Sequence, residues 1–250
     1  NLPAVVALPM ILFVGFFVGG AWGALAGWFK AKRGCHAVLS SILLNFISYS
    51  LCSFLILHVL KNPDSQSPEA APIGAGFELP VLSFGGTSPV NASIFLAILA
   101  AFAFWFIFAK TRFGFIQRMS GEALQVARRA GVSVDKQIIF AMFLSGGLAG
   151  LGGISQILGY LHKAKDGFPA GAGFMGIAVA LLGRNSAIGV LLASLLFGVL
   201  TQGALNLDLD TEKVSRDLAV VIQAFIVLSV ASQVGLQQLF KAWVERRREP

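Results

Sequence analysis

From Leu2 to Phe29 the chain carries no Asp, Glu, Lys, Arg or His, and Lys30, Lys32 and Arg33 follow at once. A run of roughly 20 apolar residues, each rising about 1.5 Å in a helix, crosses the hydrocarbon layer of a bilayer. Within this run Gly15, Gly19, Gly23 and Gly27 recur at every fourth position, so a helix would line them on one face. Small residues at that spacing let a second helix approach backbone to backbone. The segment is therefore predicted to span a membrane and to pack tightly inside it. That places the function in transport, sensing or assembly within lipid.

The remaining sequence has the same character. Of 250 residues 56% are hydrophobic and 12% charged, against about 25% charged in an ordinary soluble domain. The net charge of +7 could suggest nucleic acid, but the cations lie between apolar runs, which is a topology signal. No nucleic-acid partner is expected, and membrane lipid is. Spans are predicted near 3–29, 38–60, 92–109, 138–162, 186–206 and 218–238. A shorter apolar piece near 170–183 follows Pro169 and holds Gly171, Gly173, Gly176 and Gly183. It reads as a re-entrant or broken helix, tolerable at membrane depth where protein or a watery cavity covers its backbone. The expected fold is all-α: one polytopic transmembrane bundle over 1–250, of about six spans plus that broken helix. The chain opens on Asn1 inside an apolar run, without an initiator Met, so further spans are expected upstream.

Charge sets the orientation. Placing the loops at 30–37 and 110–137, the turn at Arg184 and the C-terminal tail in the cytoplasm puts 14 of the 19 Lys and Arg residues there, the positive-inside arrangement. The opposite side then holds 5 and one long loop, 61–91, rich in Pro and Gly. Turn chemistry of that kind predicts an extracytoplasmic cap rather than a helix. Cys35 and Cys52 are expected to be free thiols. His36, His58 and His162 lie near span ends without metal-ligand spacing, so no metal and no cofactor is expected.

Three clusters carry the functional signal. In the cytoplasmic segment Ser120 is read as a helix cap, Glu122 as a first-turn acid and Gly131 as a stop. Ala123, Val126, Ala127 and Ala130 then form one small apolar stripe, with Arg128 and Arg129 in the last turn. Such a helix is shaped to enter a groove in another protein; lying on lipid is the alternative. The glycine-rich stretch from Gly171 to Gly189 either brings backbone close to a solute or makes a packing joint. Gly146 and Gly150 in the fourth span form a second tight-packing pair. The polar residues Ser40, Ser41, Asn45, Ser155, Gln156 and Gln202 fall inside spans, whereas no span carries an ionisable residue deep in the bilayer. That absence argues against a proton relay or charge sensor and for a neutral polar solute. No phosphate-binding Gly-Lys-Ser/Thr loop occurs, so an energised mechanism requires a partner, and the chain is not expected to be an enzyme.

Two stretches, Glu122-Ala-Leu-Gln-Val-Ala-Arg-Arg-Ala-Gly131-Val and Gly173-Phe-Met-Gly-Ile-Ala-Val-Ala-Leu-Leu-Gly-Arg-Asn185, resemble the permease subunits of bacterial ABC importers for branched-chain amino acids, ribose and nucleosides. Val38-Leu-Ser-Ser-Ile-Leu-Leu-Asn45-Phe-Ile looks like the nucleoside branch. The sequence departs from the family pattern at Arg129, where Tyr is common, and at Ala187, where Pro is common. The resemblance implies an importer in the bacterial inner membrane with three kinds of partner. These are a second permease subunit, identical or paralogous, a cytoplasmic ATPase, and an extracytoplasmic binding protein or lipoprotein. It implies that Glu122, Ala123, Val126, Ala127, Arg128, Ala130 and Gly131 couple to the ATPase. The expected solute is a nucleoside or related purine, with riboflavin or a sugar such as ribose as the alternative, and a passive channel as the rival class. The expected path runs past Asn45, Gln156, Phe174 and Gln202, with a base stacked on Phe174.

Overall fold

The computed structural model describes residues 4–63, 67–82, 90–168, 171–210, 217–218, 220–226 and 228–229. Among the described residues up to Asp210 eight α-helices follow one another: α1 Ala4–Arg33, α2 Ala37–Phe54, α3 Ser93–Lys110, α4 Arg112–Glu122, α5 Leu124–Arg129, α6 Val134–Gln156, α7 Ala172–Leu182 and α8 Ala187–Asp210. One π-helical turn, Leu55–Val59, prolongs α2, and another, Ile157–Leu161, prolongs α6. Among the described residues five helices are long and apolar enough to cross a membrane. They answer to the first five predicted spans. Most of the sixth, 218–238, lies outside the described residues, of which 220–226 are helical. The broken piece is a helix of 11 residues, about 16 Å long at 1.5 Å per residue and too short to cross alone.

The chain divides into two compact units, Asn1–Ala170 and Gly171–Pro250. The first is built on an antiparallel pair, α1 against α6. Along the contact Gly15 meets Ile154, Gly19 meets Gly146 and Gly150, Gly23 meets Met142 and Gly146, and Gly27 meets Ile139. A Cβ on Gly19 would lie 2.5 Å from the Gly146 carbonyl oxygen, and one on Gly27 would lie 2.9 Å from the Ile139 Cα. Backbone thus touches backbone, the geometry small residues permit in lipid. Beside this seam the ring of Phe143 fills the notch at Gly20, and that of Phe16 the notch at Gly147. The two rings meet edge to face at 5.8 Å, a favoured aromatic arrangement.

Outside the seam the helices are apolar and bare; no residue of the Ser93–Lys110 window is buried. Exposed apolar surface on that scale requires lipid or another protein to cover it.

The antiparallel pair gives the first unit two ends. At one end Lys32 lies 3.4 Å from Asp135, tying the close of α1 to the start of α6. At the other the segment before α3 folds over the end of α6. Ile73 N donates to the His162 carbonyl at 2.8 Å, Leu79 N to that of Leu158 at 3.0 Å, and Ala70 N to that of Ala164 at 2.8 Å. The Lys163 ammonium lies 2.8 Å from the Glu69 carboxylate. The first is the basic end of the unit and the second its loop end.

In the second unit α7 and α8 form a helical hairpin. Arg184 and Asn185 both take positive φ, 50° and 53°. Ser186 caps α8, its hydroxyl accepting from Gly189 N at 3.2 Å, the usual side-chain service to a helix start. Gly183 and Gly189 press backbone to backbone across the turn. Further along, Gln223 is buried and donates to Thr201 Oγ1 at 3.0 Å.

Candidate functional site

The basic end is an elbow made by local sequence. Thr111 is extended and caps α4, its hydroxyl oxygen accepting from Gly114 N at 3.2 Å. Gly114 sits directly on the Ile107 and Phe108 backbone, where a Cβ would clash. Thr111 and Gly114, neither singled out in the sequence, therefore fold α4 back against the end of α3.

The expected single helix from Ser120 to Gly131 is corrected here. Ser120 is buried within α4, and its hydroxyl donates to the Ile116 carbonyl at 2.8 Å instead of capping. The break falls at Ala123, with φ −135° and ψ 68°. The stop is at Gly131, whose φ is +78°. Gly131 N donates to the Arg128 carbonyl at 3.1 Å and Val132 N to that of Ala127 at 3.0 Å, the paired bonds of a Schellman ending.

The expected stripe of Ala123, Val126, Ala127 and Ala130 is split between the two faces of this helix. Ala127 is 0% exposed, so it packs inward, whereas Leu124 and Val126 are exposed at 43% and 58%. Glu122, Arg128, Arg129, Ala130 and Gly131 are also exposed, and Ala123 is half-buried. The exposed surface of this helix is thus two aliphatic side chains, Leu124 and Val126, beside Glu122, Arg128 and Arg129, with Ala127 packed inward. Gln117 on α4 reaches α6, its Nε2 donating to the Gln137 carbonyl at 3.3 Å. The Oε1 atoms of Gln117 and Gln137 are buried and accept no hydrogen bond from the described residues. Each such orphan costs about 1–3 kcal/mol.

The loop end holds a cavity of about 410 Å³ between the start of α3 and the close of α6, lined by Asn91, Ser93, Gly152, Ser155, Gln156 and Tyr160 among others. Among the described residues no charged one lines it. Asn91 frames it: Nδ2 donates to the Gly159 carbonyl at 2.7 Å, while Oδ1 accepts from Ser93 N at 3.1 Å and from the Ser93 hydroxyl. The π-helical turn matters here, because its wider winding leaves carbonyls for a side chain to claim. Ser155 Oγ is turned to the Gly152 carbonyl at 2.9 Å. Gln156 has no side-chain hydrogen-bond partner among the described residues and is exposed, as is Tyr160 at 60%. An amide offering donors and acceptors beside an aromatic face can hold a flat polar ring.

Two of the four expected path residues, Asn45 and Gln156, fall in the first unit. Gln156 lines the cavity; Asn45, on α2, is exposed and is not among its walls. Phe174 and Gln202 belong to the second unit, on α7 and α8. Phe174 is 77% exposed, and Gln202 Nε2 lies 3.4 Å from Asn206 Oδ1. Sequence reading missed Asn91 and Tyr160, though a Pro-Val-Asn-x-Ser run before an apolar span is itself a capping signal. Among the described residues no His, Cys, Asp and Glu cluster could hold a metal, and Cys35 and Cys52 are free and exposed.

Residues 2–231 match the family described as branched-chain amino acid transport system / permease component. The chain is 36% identical to the guanosine ABC transporter permease protein NupP of Bacillus subtilis, over 94% of this chain and 68% of that protein. It is 34% identical to the glucose ABC transporter permease protein TsgB13 of Haloferax volcanii, over 91% of this chain and 62% of that one. It is 30% identical to the nucleoside ABC transporter permease protein NupB of Lactococcus lactis, over 92% of this chain and 65% of that one. The chain thus spans about two thirds of the length of these relatives. No solved structure matches it. With its apolar spans, glycine seam and uncharged polar cavity, the chain belongs to the permease-component family of branched-chain amino acid transport systems.

Proposed function

We propose that the chain is a membrane subunit of an ATP-driven importer for a nucleoside or related purine. The observation that carries this reading is the uncharged cavity at the loop end, where the Gln156 amide and the Tyr160 ring face the same space. A purine nucleoside presents a flat stacking face and an edge of donors and acceptors, and its ribose hydroxyls match the Ser and Asn oxygens nearby. The guanosine and nucleoside permeases among the relatives support the same solute. In this reading the basic end faces the cytoplasm, and Leu124 and Val126 on α5 dock into a separate ATP-binding subunit, which hydrolyses ATP. An extracytoplasmic binding protein delivers solute to the loop end. The partner permease is a paralogue. In Lactococcus lactis and in Bacillus subtilis two relatives share a naming stem, NupB with NupC and NupP with NupQ.

A sugar is the second reading, favoured by the similarity to the glucose permease. It needs the amide and hydroxyls but not the aromatic face. Uptake into proteoliposomes holding the assembled transporter separates the two. Tyr160→Ala is expected to raise the apparent KM for guanosine about tenfold, since base stacking contributes about 1–3 kcal/mol. Glucose uptake with no response to Tyr160→Ala would assign the sugar instead. Uptake that proceeds without ATP would make the protein a passive channel.

A further inference from the structure

The close of α6 departs from α-helical winding. His162 N donates to the Ile157 carbonyl at 2.8 Å, five residues back, so the turn Ile157–Leu161 encloses one residue more than an α-helical turn. Such π turns are rare and recur at functional sites. Gln156 stands just before this one and Tyr160 within it, and both line the uncharged cavity. The carbonyls of the turn are claimed from outside the helix. Leu79 N donates to that of Leu158, Ile73 N to that of His162, and Asn91 Nδ2 to that of Gly159 at 2.7 Å. The first two donors are backbone, while Asn91 is a side chain, 8% exposed. It lies so close that a Cβ on Gly159 would strike its amide nitrogen.

The same amide starts the opposite wall. Asn91 Oδ1 accepts from Ser93 N and from the Ser93 hydroxyl in the first turn of α3. Backbone bonds seat Asn91 itself: Leu82 N donates to the Val90 carbonyl at 2.8 Å and Ala92 N to that of Pro80 at 3.0 Å. One buried side chain thus joins the start of α3 to the π turn of α6, the two walls of the cavity. Its Oδ1 already accepts twice and one N–H is spent on Gly159, so a single N–H remains for a solute. The larger effect is on its neighbours. An α-helix turns about 100° per residue, and relaxation of the π turn to that winding would swing Tyr160 round the axis by a good part of one step. We propose that Asn91 is the positioning residue of this site: by holding the Gly159 carbonyl it keeps the π turn, and with it the Tyr160 ring beside the Gln156 amide. The proposal rests on the reading of this cavity as the nucleoside site.

The test uses the assembled transporter, in nanodiscs for hydrogen exchange and in proteoliposomes for uptake. Asn91→Ser keeps a capping oxygen for α3 but is too short to reach Gly159. It is expected to speed amide exchange at 157–162 by up to about tenfold relative to the rest of α6, the effect of one lost hydrogen bond. The apparent KM for guanosine is expected to rise by up to about tenfold, the whole of the stacking contact, and by more than the maximal rate falls. In that background Tyr160→Ala is expected to add nothing, since a misplaced ring has no contact left to lose. Gly159→Ala attacks the same contact from the other side. It is expected to reproduce both effects, and it decides the matter where Asn91→Ser lowers the yield of folded protein. Unchanged exchange at 157–162 overturns the proposal. So does faster exchange with an unchanged guanosine KM, while Tyr160→Ala alone raises it. Fully additive effects of Asn91→Ser and Tyr160→Ala overturn it as well. Uptake indifferent to Tyr160→Ala in the otherwise wild-type protein strikes the nucleoside reading instead, and the exchange result then decides alone whether Asn91 holds the turn.

Discussion

At the scale of single residues, what a glycine does depends on what stands opposite it. Gly19 faces the backbone of Gly146 and Gly150, whereas Gly153, one turn along the same α6 helix, has open space where a Cβ would go. Gly19→Ala is therefore expected to force α1 and α6 apart and to cost about 1–3 kcal/mol, the range for overpacking. Gly153→Ala is expected to be neutral or to stabilise by up to about 1 kcal/mol, through helix propensity alone. Thermal unfolding in detergent compares them; equal melting shifts would dissolve the seam as the organiser of the first unit. Both halves of that seam were visible in the sequence as four-residue glycine spacings. Their pairing was not, because the chain holds 28 glycines and many, Gly176, Gly198 and Gly203 among them, meet nothing. Spacing shows that a face is small, while partner identity depends on which helix arrives antiparallel at the matching height.

Whole elements divide between those dictated by composition and those dictated by contact. The first five spans were legible because an apolar run has to bury its backbone polar groups in helix whatever its neighbours are. The basic elbow was not, because it contains two capping candidates, Thr111 and Ser120, and local propensity does not choose between them. Thr111 wins through Gly114, which lets α4 close on α3, and Ser120 then falls inside α4 and bonds back to Ile116. Such back-bonding is the ordinary fate of a mid-helix serine. The consequence is a changed assignment of roles on α5. Val126→Arg places charge on the exposed face and is expected to lower ATP-driven uptake by about tenfold or more, at unchanged folding, if a buried contact of ~1.4 kcal/mol is lost. Ala127→Arg puts a charge in a fully enclosed position and is expected to reduce the yield of folded protein. Uptake per folded transporter, with yield read by size-exclusion chromatography, distinguishes the two. A Val126→Arg transporter with intact coupled uptake would remove α5 from the docking surface.

At the scale of the molecule, the first unit is a two-ended object, and the ends differ in chemistry. The Lys32–Asp135 pair and the elbow stand at one end, and the Glu69–Lys163 pair and the uncharged cavity at the other. The antiparallel run of α1 against α6 requires this, since the close of one helix meets the start of the other. Charge counting assigned the basic end to the cytoplasm, and Cys35 offers a direct check. It lies in the exposed turn between α1 and α2, while Cys52 lies 17 residues further along the chain, roughly 26 Å along a helix and inside an apolar span. A membrane-impermeant maleimide reaches thiols in water and not those facing lipid or a packed neighbour. Inside-out vesicles are therefore expected to label through Cys35 and right-side-out vesicles not at all, with Cys52→Ala leaving the pattern unchanged. Labelling confined to right-side-out vesicles would turn the molecule over. The α5 face would then look away from any source of ATP, and the cavity beside Tyr160 would open toward the cell interior, so that an ATP-driven importer would no longer describe this chain.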